Sequence, residues 1–168
     1  MNRFLSSFCA ALRGIVFCLV NERNMRIHTV VVAYVLLFFR YFTLTRGEIA
    51  FLFIAFGLVI GAEMLNSAIE GLTDMLAPKY SGSARNIKDI AAGAVLVCAL
   101  FSLCVAVCLF WQPDAWHRIV QASGSPFWLV GFVLLTGLFA VYIWKGPRRL
   151  IRWLSGKKRR EKEKKENL

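Results

Sequence analysis

The amino-acid sequence predicts an all-α membrane protein with an N-terminal amphipathic surface helix, three core transmembrane helices and a fourth transmembrane helix. Of its 168 residues, 58% are hydrophobic, and the mean hydropathy is +0.57. Both values are typical of membrane proteins. Four apolar segments reach or approach the length that crosses about 30 Å of hydrocarbon. Basic residues gather on one side of these segments, as the positive-inside rule describes.

The four apolar segments cover residues 29–45, 49–69, 90–111 and 127–144. The first is marginal because Arg40 interrupts it, although an arginine near a helix end can reach the interface. Residues 43–48 are expected to form a short external turn, so that the first two segments make an antiparallel hairpin. The second helix is expected to continue past the membrane and to end near Leu76, before Pro78. The chain then divides into a surface helix with the residues at the cytoplasmic start of the first span, a transmembrane core, an external loop with an additional transmembrane helix, and a basic tail. These parts cover 1–26, 27–111, 112–145 and 146–168.

The N-terminal segment has apolar residues at helical spacing, namely Phe4, Phe8, Leu12, Ile15 and Leu19. This pattern predicts a helix lying in the membrane interface with its apolar face in lipid. Packing of the same helix on the bundle is compatible with that interpretation. The polar sequence NERNMRIH follows at residues 21–28, where the first apolar segment begins.

The net charge of +11 is unevenly distributed, because residues 145–168 carry +8 and the rest of the chain only +3. Four crossings place both termini and the loop at 77–86 on one side, which the positive-inside rule assigns to the cytoplasm. The tail is expected to be disordered or to lie on anionic lipid. On a multi-span protein this interpretation is preferred to nucleic-acid binding, and no nucleic-acid partner is predicted.

Five cysteines lie at positions 9, 18, 98, 104 and 108 without any CxxC pair. Three fall in one apolar segment, where cysteine behaves as a small apolar residue, so disulfide and metal roles are not predicted. A phosphate-binding loop of the GxxxxGK[ST] type is absent from the sequence. The loop near residues 77–86 nevertheless combines basic and hydroxyl side chains, which suit phosphate binding.

An acidic and amide stripe interrupts the second apolar segment. Glu63, Asn66, Glu70 and Asp74 follow one another at offsets of 3, 7 and 11. Such offsets fall within about 80° on one helix face. Ionised groups at membrane depth are costly and usually face a bundle interior, a partner ion or water. The stripe is therefore the predicted functional site.

These residue types match the requirements of phosphoryl transfer to a lipid alcohol. Magnesium on a nucleotide is held by one or two carboxylates, for which Glu22 and Glu70 are candidates. Lys88, together with Lys79 or Arg85, is suited to holding phosphates. Glu63 lies deeper and suits a general base for an alcohol that stays in the lipid. The residues alone leave open two alternatives, a proton or cation pathway through Glu63 and Glu70, and a structural bundle whose tail recruits acidic partners.

Four sequence elements resemble a known family. They are ALRG at 11–14, NERNMRIH at 21–28, the ExxNxxxExxxD run at 63–74 and KDIAAGAVL at 88–96. In order and separation they resemble the small bacterial integral-membrane diacylglycerol kinase/undecaprenol kinase family, over residues 7–110. The resemblance implies an ATP- and Mg²⁺-dependent lipid kinase. It also implies a homotrimer in the bacterial inner membrane, with three membrane helices and a surface helix per chain and active sites between neighbouring subunits.

The resemblance also implies roles for individual residues. Glu63 would be the catalytic base, and Glu22 and Glu70 would hold magnesium. The lipid substrate would be met by Glu63, Asn24 and His28. The ATP-binding residues would be Arg3, Glu22, Asn66, Glu70, Lys79, Tyr80, Ser81, Lys88 and Asp89. Two features depart from the family pattern: Asn86 stands where a small residue is expected, and the fourth segment and the tail lie outside the usual short form.

Overall fold

The computed structural model describes residues 3–77 and 81–166, with side chains as far as Pro147. Throughout these residues the regular structure is helical, which confirms the predicted fold class. Six α-helices follow in order: α1 (Arg3–Asn21), α2 (Arg23–Phe38), α3 (Arg46–Leu76), α4 (Gly82–Phe110), α5 (Pro113–Ser123) and α6 (Pro126–Glu166). A short 3₁₀ turn, Phe39–Tyr41, extends α2.

The helix that forms the first predicted crossing is displaced from the predicted bounds. α2 begins at Arg23 and has 16 residues, so it is about 24 Å long. The 3₁₀ turn adds about 6 Å, which brings α2 close to the hydrocarbon thickness. α2 is nevertheless not among the four helical stretches that are long and apolar enough to cross a membrane by length and composition, which are α1, α3, α4 and Pro126–Pro147 of α6. The number of candidate spans agrees with the prediction, but α1 stands among them in place of α2.

α3 and α4 form the central antiparallel hairpin. α3 has 31 residues, about 46 Å, so it extends beyond a bilayer core. A capping box fixes its start: the Glu48 amide donates to the Thr45 hydroxyl, and the Glu48 carboxylate accepts from the Thr45 amide. Its end at Leu76 agrees with the prediction. α4, however, begins at Gly82 rather than at residue 90, so residues 82–86 of the predicted polar loop are helical.

Contacts between distant residues define two ends of the bundle. At one end the Thr43 backbone amide donates to the side-chain oxygen Oε1 of Gln112 (3.2 Å), and Arg118 donates to the Tyr41 backbone carbonyl (2.6 Å). At the opposite end Arg26 donates to the carbonyl of Ile143 (3.3 Å). The α1–α2 junction, the α3–α4 connection and the break in α6 therefore share one end, which is the end predicted to be cytoplasmic.

The segment between α4 and α6 is helical, whereas a loop was predicted at 112–125. α5 starts with Pro113 at its first turn and Asp114 close behind, and both residues favour helix initiation. Its apolar side is anchored by Ala115 and Ile119, which are buried one helical turn apart. His117 is exposed.

α6 continues well past the membrane but is broken at Gly146, whose φ is +65°. The backbone is helical on both sides of the break and remains so to Glu166. The tail is therefore helical, and the alternative of a disordered tail is wrong. Its lysines, arginines and glutamates are good helix formers, which explains the outcome. Contact of the tail with anionic lipid stays a prediction.

Candidate active site

Glu63 is the most deeply enclosed polar side chain of the site. It lies midway along α3 and is 2% exposed. The side chain of Asn24, from the first turn of α2, lies near its carboxylate. Its second oxygen, Oε2, is buried without a hydrogen-bond partner among the described residues. Because a buried acceptor without a donor is costly, this oxygen marks a position where a donor from a substrate would be stabilised.

Asn66 and Glu70 form a hydrogen-bonded pair on the same face of α3. The Asn66 amide nitrogen donates to Glu70 Oε1 at 2.9 Å, across one helical turn. Asn66 is 6% exposed, and its Oδ1 atom also lacks a partner in the described part of the chain. Glu70 is half-buried. The predicted common face is therefore present, and it changes from buried at Glu63 to partly exposed at Glu70.

Glu22 joins this group from a break between two helices. Its backbone is extended (φ −92°, ψ 125°), so α1 ends at Asn21 and α2 begins at Arg23. A carboxylate at this position is stabilised by the positive end of the α2 dipole. Glu22 and Glu70 both lie close enough to Glu63 for their charges to act on it. One chain thus brings together three carboxylates that are up to 48 positions apart in sequence.

The residues present fit a magnesium–nucleotide complex better than a metal ion held by protein alone. Within residues 3–77 and 81–147 no group of three or more histidine, cysteine or carboxylate side chains has metal-holding geometry. Magnesium keeps several waters and is usually bound by one or two carboxylates plus substrate phosphates. Glu22 and Glu70, beside the unpartnered Asn66 Oδ1, supply acceptors of that kind.

The predicted phosphate-binding residues on α4 are held by ion pairs in the described structure. The Lys88 ammonium group bonds to Asp74 and so ties the start of α4 to the end of α3. Asp89 pairs with Arg85 one turn earlier, at 3.7 Å between Nε and Oδ2. Both pairs are largely exposed, so they are weak and exchangeable. Lys88 and Asp89 lie at the end of the bundle that carries the three glutamates.

Arg3 is not brought to this group within one chain. Arg3 begins α1, about 27 Å along the helix axis from Asn21, and is exposed. Ser81 precedes α4 and makes no side-chain capping bond. Lys79 and Tyr80 lie outside the described residues. Arg85 and Asn86 belong to α4 rather than to a loop.

His28 lies at the mouth of an apolar cavity of about 220 Å³ between α2, α3 and α4. The cavity continues along the helices past Val59 and Ala99 to Ala106. His28 is therefore directed toward an apolar space that runs into the membrane. The sequence reasoning did not predict this cavity, because packing gaps between apolar helices leave no mark in composition.

The comparisons with known proteins decide the family. A family model described as prokaryotic diacylglycerol kinase matches residues 9–110. The chain belongs to the prokaryotic diacylglycerol kinase family. This confirms the predicted family and the predicted enzyme class, a lipid kinase. Since the match ends at residue 110, α5 and α6 lie beyond the segment that the family shares.

Two curated relatives support the same assignment. The chain is 36% identical over 110 residues to an undecaprenol kinase from Bacillus subtilis. The aligned segment covers 66% of this chain and 89% of that protein. It is 34% identical over 110 residues to a diacylglycerol kinase from Synechocystis. This aligned segment covers 65% of this chain and 63% of that protein. Neither comparison supports the alternative of a proton or cation pathway.

Proposed function

We propose that the protein transfers the γ-phosphate of ATP to the hydroxyl group of a membrane lipid alcohol, with Mg²⁺ as the required ion. The observation that carries the proposal is the buried Glu63, whose free oxygen lies beside the acidic pair of Glu22 and Glu70. A carboxylate at this depth reaches an alcohol that remains in the bilayer. The neighbouring carboxylates lie nearer the aqueous edge, where a nucleotide enters.

In the proposed reaction Glu63 accepts the proton of the lipid hydroxyl group while the hydroxyl oxygen attacks the γ-phosphorus. The bond between the γ-phosphorus and the β–γ bridging oxygen breaks, and ADP leaves with that oxygen. Glu22 and Glu70 would hold the magnesium, which supplies neutralisation of the phosphate charge when bound. Asn66 orients Glu70 through their hydrogen bond.

The nucleotide phosphates would lie over the start of α4. Lys88 would exchange its bond to Asp74 for phosphate oxygens, since an exposed ion pair costs at most about 1 kcal/mol to open. Ser81, Asp89, Lys79 and Tyr80 complete the proposed nucleotide-binding set. Arg3 would belong to it only in an assembly, because its own chain holds it far from Glu22.

We place undecaprenol first as acceptor and diacylglycerol second. The relative named undecaprenol kinase is matched over 89% of its length, the relative named diacylglycerol kinase over 63%. The apolar cavity beneath His28 offers a path for the chain of either lipid, with Asn24 and His28 near the reacting end. Both acceptors present a hydroxyl group at the interface and keep their chains in the membrane.

The proposed setting is the cytoplasmic face of the bacterial inner membrane. The basic end of the bundle would face the cytoplasm, where ATP is available, and both termini would lie on that side. The functional unit would be a homotrimer with active sites shared between neighbours. Anionic lipid would bind the basic tail, where each cation contributes about 1 kcal/mol near the surface.

The direct experiment incubates purified protein in vesicles with ATP labelled on its γ-phosphate and one lipid alcohol at a time. We expect Mg²⁺-dependent label in undecaprenol, with less in diacylglycerol and none without acceptor. Glu63→Gln should lower labelling by about 100-fold or more. Equal labelling by wild type and Glu63→Gln would remove the catalytic assignment. Ion flux through the same vesicles that depends on Glu63, without any lipid labelling, would favour a proton or cation pathway instead.

A further inference from the structure

The polar segment NERNMRIH at 21–28 has two faces in the folded chain. Glu22 and Asn24 lie near Glu63 on α3. Arg23 and Arg26 contact α6 instead: the Arg23 guanidinium lies 5.0 Å from the ring centroid of Trp144. The sequence alone treats these residues as one cluster, whereas the fold assigns the arginines to a helix that the family segment does not include.

Arg26 is 7% exposed, which is unusual for a cation. Its Nη1 donates to the Val20 carbonyl at 3.1 Å, and its Nε donates to the Ile143 carbonyl at 3.3 Å. Both carbonyls lie in the last turns of their helical stretches, where intrahelical partners run out. A cation is also stabilised at the negative end of each helix dipole. One guanidinium therefore joins the ends of α1 and of the membrane part of α6.

The α6 side of this contact is built for an arginine. In a continuous helix the Ile143 carbonyl would accept from residue 147, but Pro147 has no amide hydrogen. Its neighbour Gly146 is buried at φ +65°, a conformation that glycine adopts without steric cost. A Cβ atom at Gly146 would lie 3.3 Å from Cζ and Nη1 of Arg26. Gly146 and Pro147 thus leave a free carbonyl and the space for the guanidinium beside it.

We propose that α6 positions Glu22 for metal and nucleotide binding by docking its Gly146–Pro147 break onto Arg26. Arg26 lies one turn after Glu22 on α2 and bonds to the helix that ends immediately before Glu22. The docked guanidinium therefore fixes the α1–α2 junction from both sides, and the extended backbone at Glu22 is held between them. Arg26 is a positioning residue in this scheme. The proposal rests on the proposed function, since it assigns Glu22 to the magnesium–nucleotide complex.

The first test compares two glycine substitutions in the same helix. Gly146→Ala places a Cβ against Arg26 and forces alanine into a positive φ, whereas Gly137→Ala meets no atom within 4 Å. We expect Gly146→Ala to raise the Mg²⁺ concentration for half-maximal lipid phosphorylation by about tenfold, with the lipid KM unchanged. Gly137→Ala should behave as wild type. A loss of kcat alone, or no change at all, would overturn the proposal, because a smaller folded fraction lowers kcat without altering the Mg²⁺ requirement.

Arg26→Lys separates the contact from backbone strain. Lysine keeps the charge but presents a single compact ammonium group rather than a planar fork that reaches two carbonyls. We expect the same change in Mg²⁺ requirement, smaller than that of Gly146→Ala. A wild-type Mg²⁺ requirement in Arg26→Lys would contradict the role of the guanidinium.

A second readout does not depend on catalysis. Cys18 is buried at 6% exposure, two residues before Val20, and loosening α1 should expose it. In the full chain with the other four cysteines replaced by alanine, Gly146→Ala should raise the maleimide-labelling rate of Cys18 by about fivefold. Gly137→Ala should leave that rate unchanged. If wild type phosphorylates no lipid, the proposed function fails, and the labelling of Cys18 alone tests the docking of α6. If Gly146→Ala leaves the labelling rate of Cys18 unchanged, the docking is refuted even when the protein is an active kinase.

Discussion

Two side chains of α3 are polar, buried and incompletely bonded. Glu63 Oε2 and Asn66 Oδ1 have no donor in the described part of the chain. Each such atom costs about 1–3 kcal/mol, more when it is charged. Sequence reasoning located both residues because they interrupt an apolar run at helical spacing. It did not identify the unsatisfied oxygens, since these depend on which donors the fold brings to each side chain.

Glu63→Gln tests the role of the deepest carboxylate. Glutamine keeps the shape of the side chain but does not accept the proton of an alcohol, so kcat should fall by about 100-fold or more. Radiolabelled phosphate transfer to lipid measures the loss. Glu48→Gln is the matched control, because it lies on the same helix at the opposite end and glutamine also serves in a capping box. Retention of most activity in Glu63→Gln would show that another group takes the proton.

Glu70→Gln tests the partly exposed carboxylate of the same face. Removing its charge while keeping the Asn66 contact should weaken the magnesium–nucleotide complex by about tenfold or more. The apparent KM for MgATP should therefore rise, while the lipid KM stays near the wild-type value. A change confined to the lipid KM would place Glu70 at the acceptor instead.

At the level of elements, the sequence predicted membrane helices better than their boundaries. The end of α3 at Leu76 followed from Pro78, which disfavours helix in the residues before it. The start of α4 was placed eight residues late, because its first two turns lie outside the apolar run and are polar. α5 was missed because its pattern is short, although Pro113 and Asp114 are initiation signals. Hydrophobicity predicts the membrane part of a helix, and helical structure continues past it.

Thr45→Ala tests the element that starts α3. Loss of the capping box should destabilise the protein by about 1 kcal/mol, which thermal unfolding in detergent would detect as a lower Tm. Lipid phosphorylation at moderate temperature should be unchanged, because the box lies at the end of the bundle away from Glu63. Thr43→Ala is a suitable control, since Thr43 bonds to Gln112 through its backbone. An equal loss of stability in both variants would contradict the capping role.

At the level of the whole molecule, a single chain builds only part of the predicted site. Glu22, Glu63 and Glu70 converge because the α1–α2 junction lies against α3, and the sequence spacing of the stripe already indicated their common face. Arg3 does not converge, because α1 is one continuous helix. Large apolar side chains near the site remain exposed, among them Leu65, Met75 and Ile90. Such surfaces in a membrane protein face either lipid or another subunit, and sequence patterns do not distinguish these.

Mixed assemblies test whether Arg3 acts on a neighbouring subunit. Arg3→Ala and Glu63→Gln chains would each be impaired alone, but a mixed ring contains one interface with an intact Glu63 on one side and an intact Arg3 on the other. Co-expressed chains with different tags, purified through both tags, should therefore recover roughly one third of wild-type activity. A mixture of Glu63→Gln and Glu70→Gln chains should be no more active than the average of the two variants measured separately, because both carboxylates belong to the same face of one helix. No recovery in the first mixture, or wild-type activity of Arg3→Ala alone, would rule out Arg3 as a contact in trans.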